Sequence, residues 1–439
     1  ASPMYGFVAI IVILLLSVAV HYIAPVVPWG DVTQVVIYHQ VRKYLLRLDV
    51  RKEHPKFWRP SILLALDRPH ECLNLIDVTN DLKKGGLLII GNVLRGQPTV
   101  SLAAASRDLR EAWYSYIDKA KIKAFFELNI APTNRVGFNN LTMSAGLGGM
   151  KVNTVIVQYY TGTATTAAAV THSRKASNPY QRPGVFEKQV QCEDILRRIT
   201  TTLEACDNSP SQDGAEWLET INDALLFRQN VLIAKGFEDV DKEMIIAYKK
   251  RARRVSMTSD CMTIDVWSHA SRSNGDWDNL RGNLSLSLQL AYGLQRQGVW
   301  KTHTKLRAIV AVEVDADTEG DMEDLAMDGV RERLTTLLKQ IRVSAELTVF
   351  STQPIDRIVQ TNLDTPSHGQ RDFNDVIVEK SRTTALCFIP LPALPDNRDL
   401  RKPGGKASEF IKSLDDLTKD LPPTLLVGSA HQATMSLEL

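Results

Sequence analysis

The stretch Ser144–Tyr160, SAGLGGMKVNTVIVQYY, holds four residues whose types could cradle a phosphate: Gly146, Gly148, Gly149 and Lys151. Glycine-loop amides and a lysine ammonium bind phosphoryl oxygens when the loop follows a strand and opens a helix, so that the helix N-terminus faces the anion. Here the order is reversed: the glycines close a helical run, NNLTMSAG, and open the strand run NTVIVQYY. Gly146 reads as the residue after a helix C-cap, where positive φ costs glycine little. Lys151 reads as a solvated turn lysine, and the loop as a turn rather than a phosphate site.

Two serines have the surroundings of a phosphoacceptor. Ser256 follows RARRV, giving Arg-Arg-x-Ser, and Ser177 follows RKA. A protein kinase acting on either would add roughly −2 charge beside arginines, enough to order a loop. Hydrolytic and metal chemistry have no comparable footing. The sequence contains no HExxH, no GxSxG and no P-loop, and its nine histidines are scattered. His70 and Glu71 are adjacent, and neighbours on a helix point about 100° apart. Asp265, in TIDVW, is a single strand carboxylate with no partner acid in view. The chain is not expected to be an enzyme.

The elements that would position these residues fall into two kinds. The run Tyr5–Ala24, YGFVAIIVILLLSVAVHYIA, has no acid, lysine or arginine. Twenty residues at about 1.5 Å each cover roughly the 30 Å core of a bilayer. It lacks the basic opening and small-residue cleavage site of a signal peptide, so 1–28 reads as a transmembrane helix and the chain as a piece of a longer membrane protein. Arg42, Lys43, Arg47, Arg51, Lys52, Lys56 and Arg59 follow it, which places the downstream side in the cytosol by the positive-inside rule. Residues 29–54 read as a linker helix with Asp31 as N-cap and Gln34 as its capping-box partner. Val32, Val35, Val36, Val41, Leu45 and Leu48 are assigned to one apolar face, the other being basic. Such a helix lies at the membrane interface or packs on the next domain.

Beyond it, apolar strand runs alternate with helices: SILLAL, LLIIGNV, NTVIVQYY and NVLIAKGF, then CMTIDVWSH, KLRAIVAVEV, AELTVFS, TALCFIPL and TLLVGS. Continuous apolar strands separated by helices mean parallel sheets covered on both faces. The fold class is therefore α/β, as two tandem doubly wound units, 55–250 and 251–439. Residues 161–214, rich in Thr, Ala, Ser, Asn and Gln, read as a mobile insertion, and Asn362–Asp372 as a polar loop. Composition agrees with a globular domain, with 44% apolar and 23% charged residues. A net charge of +2 gives no reason to expect a nucleic-acid partner. Five dispersed cysteines without a CxxC indicate a reducing compartment. In doubly wound sheets, ligands sit at the carboxyl ends of strands where the order switches. Those positions are Ala65, Leu66 and Asp67 after the first strand, Gly91 and Asn92 after the second, and Thr161, Gly162 and Thr163 after VIVQYY. An adenine nucleotide such as ATP is the ligand class weighed there, as a nucleotide-binding regulatory domain of some other membrane transporter.

The glycine stretch also carries a resemblance. AGLGGMKVNT is similar to an AAGLGxMKPNT signature of the cytosolic C-terminal domain of the cation–chloride cotransporters, with Val152 where proline is usual. VPWGDVTQ resembles that family's link after the last membrane helix, and FWRPSILLALDRPHECLNLIDVTNDLKKGGLLIIGNV its first strand–helix–strand. TIDVW, RERLTTLLKQIRVSAELTVFS and DLPPTLLVGSAHQ resemble its second half. The resemblance spans the chain apart from 161–214 and the loop near 396–406. It implies the last membrane helix and cytosolic domain of a carrier that moves chloride with potassium, sodium or both, at the vacuolar or plasma membrane. The ion sites of that family lie in broken membrane helices, so none is expected here. Universal-stress-protein-like units are also implied, although the glycine fingerprint of nucleotide-binding members is absent. Partners implied are the lipid bilayer, the carrier's own membrane core and a second copy. For the homodimer, Leu325, Met327, Val330, Leu334, Leu337, Leu338 and Ile341 form a stripe wide enough for a partner as well as a core. Residues 55–439 are expected to fold alone as a soluble domain.

Overall fold

The computed structural model of the chain describes residues 3–23, 32–48, 58–83, 85–160, 183–206, 213–240, 242–255, 261–270, 277–313, 320–352, 373–401 and 406–429. The chain divides into two compact units, Ala1–Lys52 and Glu53–Leu439.

In the first unit, α1 (Pro3–Ile23) has 21 residues, long and apolar enough to cross a membrane, and none of Pro3–Val20 is buried. Helix α2 (Val32–Arg47) begins where Asp31 was placed as N-cap, although Asp31 itself lies outside the described residues. Its apolar residues do not share one face, which corrects the sequence reading. At about 100° per residue, Val32, Val35 and Val36 point away from Val41, Leu45 and Leu48. No residue of α2 is buried. Apolar side chains all round a helix would ordinarily be covered.

The second unit is built on strands β1 (Ser61–Ala65), β2 (Leu87–Arg95), β3 (Phe125–Ala131), β6 (Thr154–Gln158), β7 (Asn230–Lys235), β8 (Met262–Ala270), β9 (Thr304–Glu313), β10 (Glu346–Thr352), β11 (Thr384–Pro390) and β12 (Thr424–Gly428). They form one ten-stranded sheet in the order β10-β9-β8-β11-β12-β7-β6-β1-β2-β3. The strands of each half are parallel to one another, as their apolar runs predicted. The halves meet at the antiparallel pair β12–β7, Leu426 opposite Ile233. Strands β1, β2, β3, β6 and β7, and strands β8–β12, thus form the two halves of one continuous sheet within the single compact unit Glu53–Leu439. The inner strands β1 and β12 are buried along their whole length, and the edge strands β3 and β10 are partly exposed.

Helices cover both faces. On one face lie α3 (Leu73–Leu82), α4 (Val100–Ala120), α6 (Pro183–Cys206), α9 (Trp277–Gln295), α10 (Gly298–His303) and α11 (Gly320–Ile341), burying Trp113, Leu196, Leu290, Trp300 and Leu334. On the other lie α5 (Asn134–Ser144), α7 (Gly214–Leu226), α12 (Phe373–Lys380) and α14 (Lys406–Leu417), burying Phe138, Trp217, Ile377 and Phe410. Helix α8 (Lys242–Val255) and the short α13 (Asn397–Leu400) complete the described set.

Helix α6 corrects the reading of 161–214 as a mobile insertion. Cys192, Ile195, Leu196 and Ile199 recur at i, i+3, i+4 and i+7 and are buried in the core. The polar composition around that stripe masked it; residues 161–182 and 207–212 lie outside the described set. Part of the stripe on α11 also turns inward. Leu334 and Leu337 are buried, and Val330, Leu338 and Ile341 pack against the same core.

The glycine stretch forms a hairpin of β4 (Gly146–Leu147) and β5 (Met150–Lys151) between α5 and β6. Gly146 has φ +86°, and a Cβ there would lie 2.2 Å from the carbonyl oxygen of Met150. The Lys151 ammonium donates to the Met143 carbonyl at 3.2 Å, closing the turn on the helix it leaves.

Lys83, after α3, is buried and donates to the carbonyl of Lys123. Burial first, and the Lys123 charge second, hold its pKa near 8 against an ordinary 10.5. Between those values the unfolded chain binds more protons than the folded one, so stability rises with pH across that window. Thermal unfolding of the wild type and Lys83→Met from pH 8 to 10.5 should show this rise only in the wild type.

Candidate functional site

In the first half of the sheet, β2 and β3 lie on one side of β1, and β6 and β7 on the other. The order therefore switches between β1 and β6, whose carboxyl ends form the crevice that doubly wound sheets use for ligands. The structure brings Ala65 and Asp67 to it. They line a cavity with Phe138 and Thr142 of α5, Gln158 of β6, and Trp217 and Thr220 of α7. Asp67 Oδ1 accepts from Asn134 Nδ2 at 3.1 Å, and the Gln158 carbonyl accepts from Trp217 Nε1 at 3.1 Å. The cavity measures about 30 Å³. That holds a water or two, whereas drug-sized ligands take about 300 Å³ or more.

Gly91 and Asn92 lie one strand over and inside the sheet. A Cβ on Gly91 would sit 3.0 Å from Leu63 Cδ1 and 3.1 Å from Leu141 Cδ1. Asn92 donates through Nδ2 to the Leu66 carbonyl at 2.7 Å, tying β2 to the end of β1. Its Oδ1 is buried without a hydrogen-bond partner among the described residues. Gly162, Ser177 and Ser256 lie outside the described residues.

His70 and Glu71 are not on an α-helix but on a 3-10 turn, Pro69–Glu71. Contrary to the expectation that they diverge, His70 Nε2 lies 3.6 Å from Glu71 Oε1. Gln158 Nε2 donates to Glu71 Oε2 at 3.2 Å, and the His70 amide donates to Thr200 Oγ1 at 3.2 Å. Helix α6 is thereby anchored beside the crevice. Among the described residues, no three of His, Cys, Asp and Glu are grouped to hold a metal ion.

Two ionic clusters escaped the sequence reading. On α7, buried Glu219 accepts from Arg135 Nη1 at 2.6 Å and from Arg401 Nε and Nη2 at 2.5 and 2.6 Å. Asp223, one turn on, accepts from Arg135 Nε and Nη2 at 2.5 and 2.9 Å and from Asn139 Nδ2 at 2.7 Å. Burial pushes the Asp223 carboxyl up, but the bonds from Arg135 and Asn139 outweigh it and hold it below the usual carboxylate range. The signal was present: Glu216, Glu219 and Asp223 at i, i+3 and i+7 put three acids along one side of an otherwise apolar helix. The second cluster surrounds Asp265, whose partner is a base. Arg307 on the neighbouring strand donates to it through Nε at 2.9 Å and Nη2 at 2.5 Å. Every group in these clusters is engaged in holding elements together, which suits structure rather than turnover.

The profile of solute carrier family 12 matches residues 73–170. Solute carrier family 12 member 9 of Danio rerio is 30% identical over 450 residues, covering 99% of this chain and 46% of its own length. The vacuolar cation-chloride cotransporter 1 of Saccharomyces cerevisiae is 31% identical over 356 residues, covering 78% of this chain and 30% of its own. Along nearly its whole length the chain is similar to members of solute carrier family 12. The Homo sapiens member 9 is 29% identical over 445 residues, 92% of this chain and 45% of its own. The chain thus spans less than half the length of these family 12 carriers. Among solved structures, the cytoplasmic domain of a prokaryotic cation chloride cotransporter aligns with 87% of this chain and 100% of its own, at 13% identity and a TM-score of 0.43.

Proposed function

We propose that the chain is the last membrane helix and the cytosolic regulatory and dimerisation domain of a carrier that couples chloride to potassium, sodium or both. The observation that carries this is the match along 99% of the chain to only 46% of a family 12 carrier, with one membrane-length helix ahead of a closed α/β unit. The relative named as vacuolar supports a vacuolar site for the carrier over the plasma membrane. Within this reading Ser177 and Ser256 are sites for protein kinases, and the carrier's membrane core is the domain's neighbour. Labelled-chloride uptake by the longer carrier, with potassium or sodium replaced in turn, tests the coupling. Removal of residues 53–439 should abolish regulation and lower uptake; unchanged uptake and regulation would sink the reading.

For the homodimer, α11 remains the surface considered: Leu334 and Leu337 pack inward, while Val330, Leu338 and Ile341 are partly buried and leave a margin for a second copy. A dimer lost in Leu338→Glu without unfolding would locate the interface there. Sedimentation of the whole chain in detergent tests self-association directly, and a strict monomer would count against it.

The strand-order switch at β1 and β6 favours a second reading, in which the domain also takes up an adenine nucleotide such as ATP beside Ala65 and Asp67. Phe138 and Trp217 would have to part first, since the closed crevice holds about 30 Å³. Equilibrium dialysis of the whole chain against millimolar ATP that finds no binding would remove this reading.

A further inference from the structure

The two ends of the parallel half-sheet differ in charge. Five connections lead into β1, β2, β3, β6 and β7: residues 58–60, 83–86, 121–124, 145–153 and 227–229. Each carries at least one base, among them Arg59, Lys83, Lys121, Lys123, Lys151 and Arg228, and none contains an aspartate or glutamate. Of these six, all but Lys83 are exposed. At the opposite end, the connections leaving β1 and β7 carry Asp67, Glu71, Glu238 and Asp239 beside one arginine, Arg68. Because the strands of this half are parallel, the five basic connections all lie along one end of the sheet.

Apolar side chains stand at the same end. The β4–β5 hairpin and the helix turn before it present Leu147 at 70% exposure, Met143 at 59% and Met150 at 43%. Leu226, 74% exposed, precedes β7, the strand next to β6. Two-strand hairpins with exposed apolar tips are weakly stabilised by their own contacts. Bases around an apolar tip are the pattern of an interfacial membrane contact, in which the tip enters the headgroup layer and the bases meet anionic lipid. The chain arrives at this end: Trp58–Pro60 leads directly into β1, downstream of α1.

We propose that this end of the sheet is a docking surface for an anionic phospholipid bilayer, with Leu147, Met150 and Met143 entering the headgroup region and the five exposed bases pairing with lipid phosphates. The inference rests on α1 spanning the bilayer.

The test uses the whole chain in nanodiscs of phosphatidylcholine alone or of phosphatidylcholine with phosphatidylserine. A nitroxide is placed at Leu147→Cys, and its exposure to a water-soluble nickel complex and to oxygen is read by electron paramagnetic resonance. A label at Val100→Cys, 89% exposed at the far end of β2, is the solvent reference. The Leu147 label should be shielded from nickel and open to oxygen only in the phosphatidylserine discs, and high salt should expose it. Lys151→Glu and Arg228→Glu should each weaken the shielded state about fivefold or more, and Lys151→Arg should keep it. Circular dichroism identifies a variant that has failed to fold, in which case salt dependence of the wild type decides. Equal exposure in both lipids overturns the proposal. So does equal shielding in both, which would mean that protein, such as a second copy, covers the tip. A chain that does not enter the discs overturns the membrane reading itself and this inference with it.

Discussion

Asp265→Ala should destabilise the α/β unit by about 3–5 kcal/mol, the cost of leaving one member of a buried pair uncompensated. Asp265 is 0% exposed and the Arg307 side chain only 22%. The carboxylate also accepts from Thr384 Oγ1 at 2.5 Å and from Ser381 Oγ at 3.2 Å. One residue on β8 therefore satisfies β9, β11 and the turn before β11. Arg307 further donates to the Lys380 carbonyl at 2.9 Å, so its loss of orientation would reach α12. Asp265→Asn keeps the shape and part of the bonding and should cost about 1–3 kcal/mol. Urea unfolding of the chain in detergent measures both. A loss below about 1 kcal/mol for Asp265→Ala would show that water replaces the carboxylate and that the pair is not the tie described.

Glu219→Ala should have an effect of similar size, about 3–5 kcal/mol, because it strips a shared acceptor from two arginines at once. The Glu219 side chain is 3% exposed, Arg135 28% and Arg401 65%. That asymmetry separates the partners. Arg401→Ala removes a largely solvated group and should cost about 1 kcal/mol or less. Arg135→Ala also strands Asp223 and should approach the Glu219→Ala value. Asn222 adds to the clasp by donating to the Pro395 carbonyl at 2.9 Å, so α7 of the first half is tied to the segment 395–401 of the second. The cluster has an acid limit. The Asp223 carboxyl lies below its ordinary value in the fold, so its contribution is complete above the ordinary carboxylate range and is lost as pH falls through the lowered value. Acid titration of the wild type against Asp223→Asn reads that difference.

Much of the fold was legible because strands and helices impose different local periods. Continuous apolar runs such as SILLAL and NVLIAK became buried parallel strands. Gly146 was legible as a turn because a helix ran into it and a strand ran out. The misreadings were local as well. Helix α6 hid its narrow stripe in polar composition, and α8, with a strongly basic sequence, was not anticipated. The faces of α2 were misassigned because apolar content was counted without placing each residue at its angle.

By itself, then, the amino-acid sequence determined what depends on neighbours along the chain: a membrane-length helix, alternating strands and helices, the turn at Gly146, and a family signature whose motifs follow in order. Only the tertiary structure decided that the two halves share one sheet through an antiparallel β7–β12 pair. It also decided that Asp265 meets Arg307, that Glu219 gathers two arginines, and that Phe138 and Trp217 fill the crevice beside Asp67. Those pairs are separated by tens to hundreds of residues. Closing such separations costs chain entropy that is repaid only when apolar faces are buried together, so no local period records them.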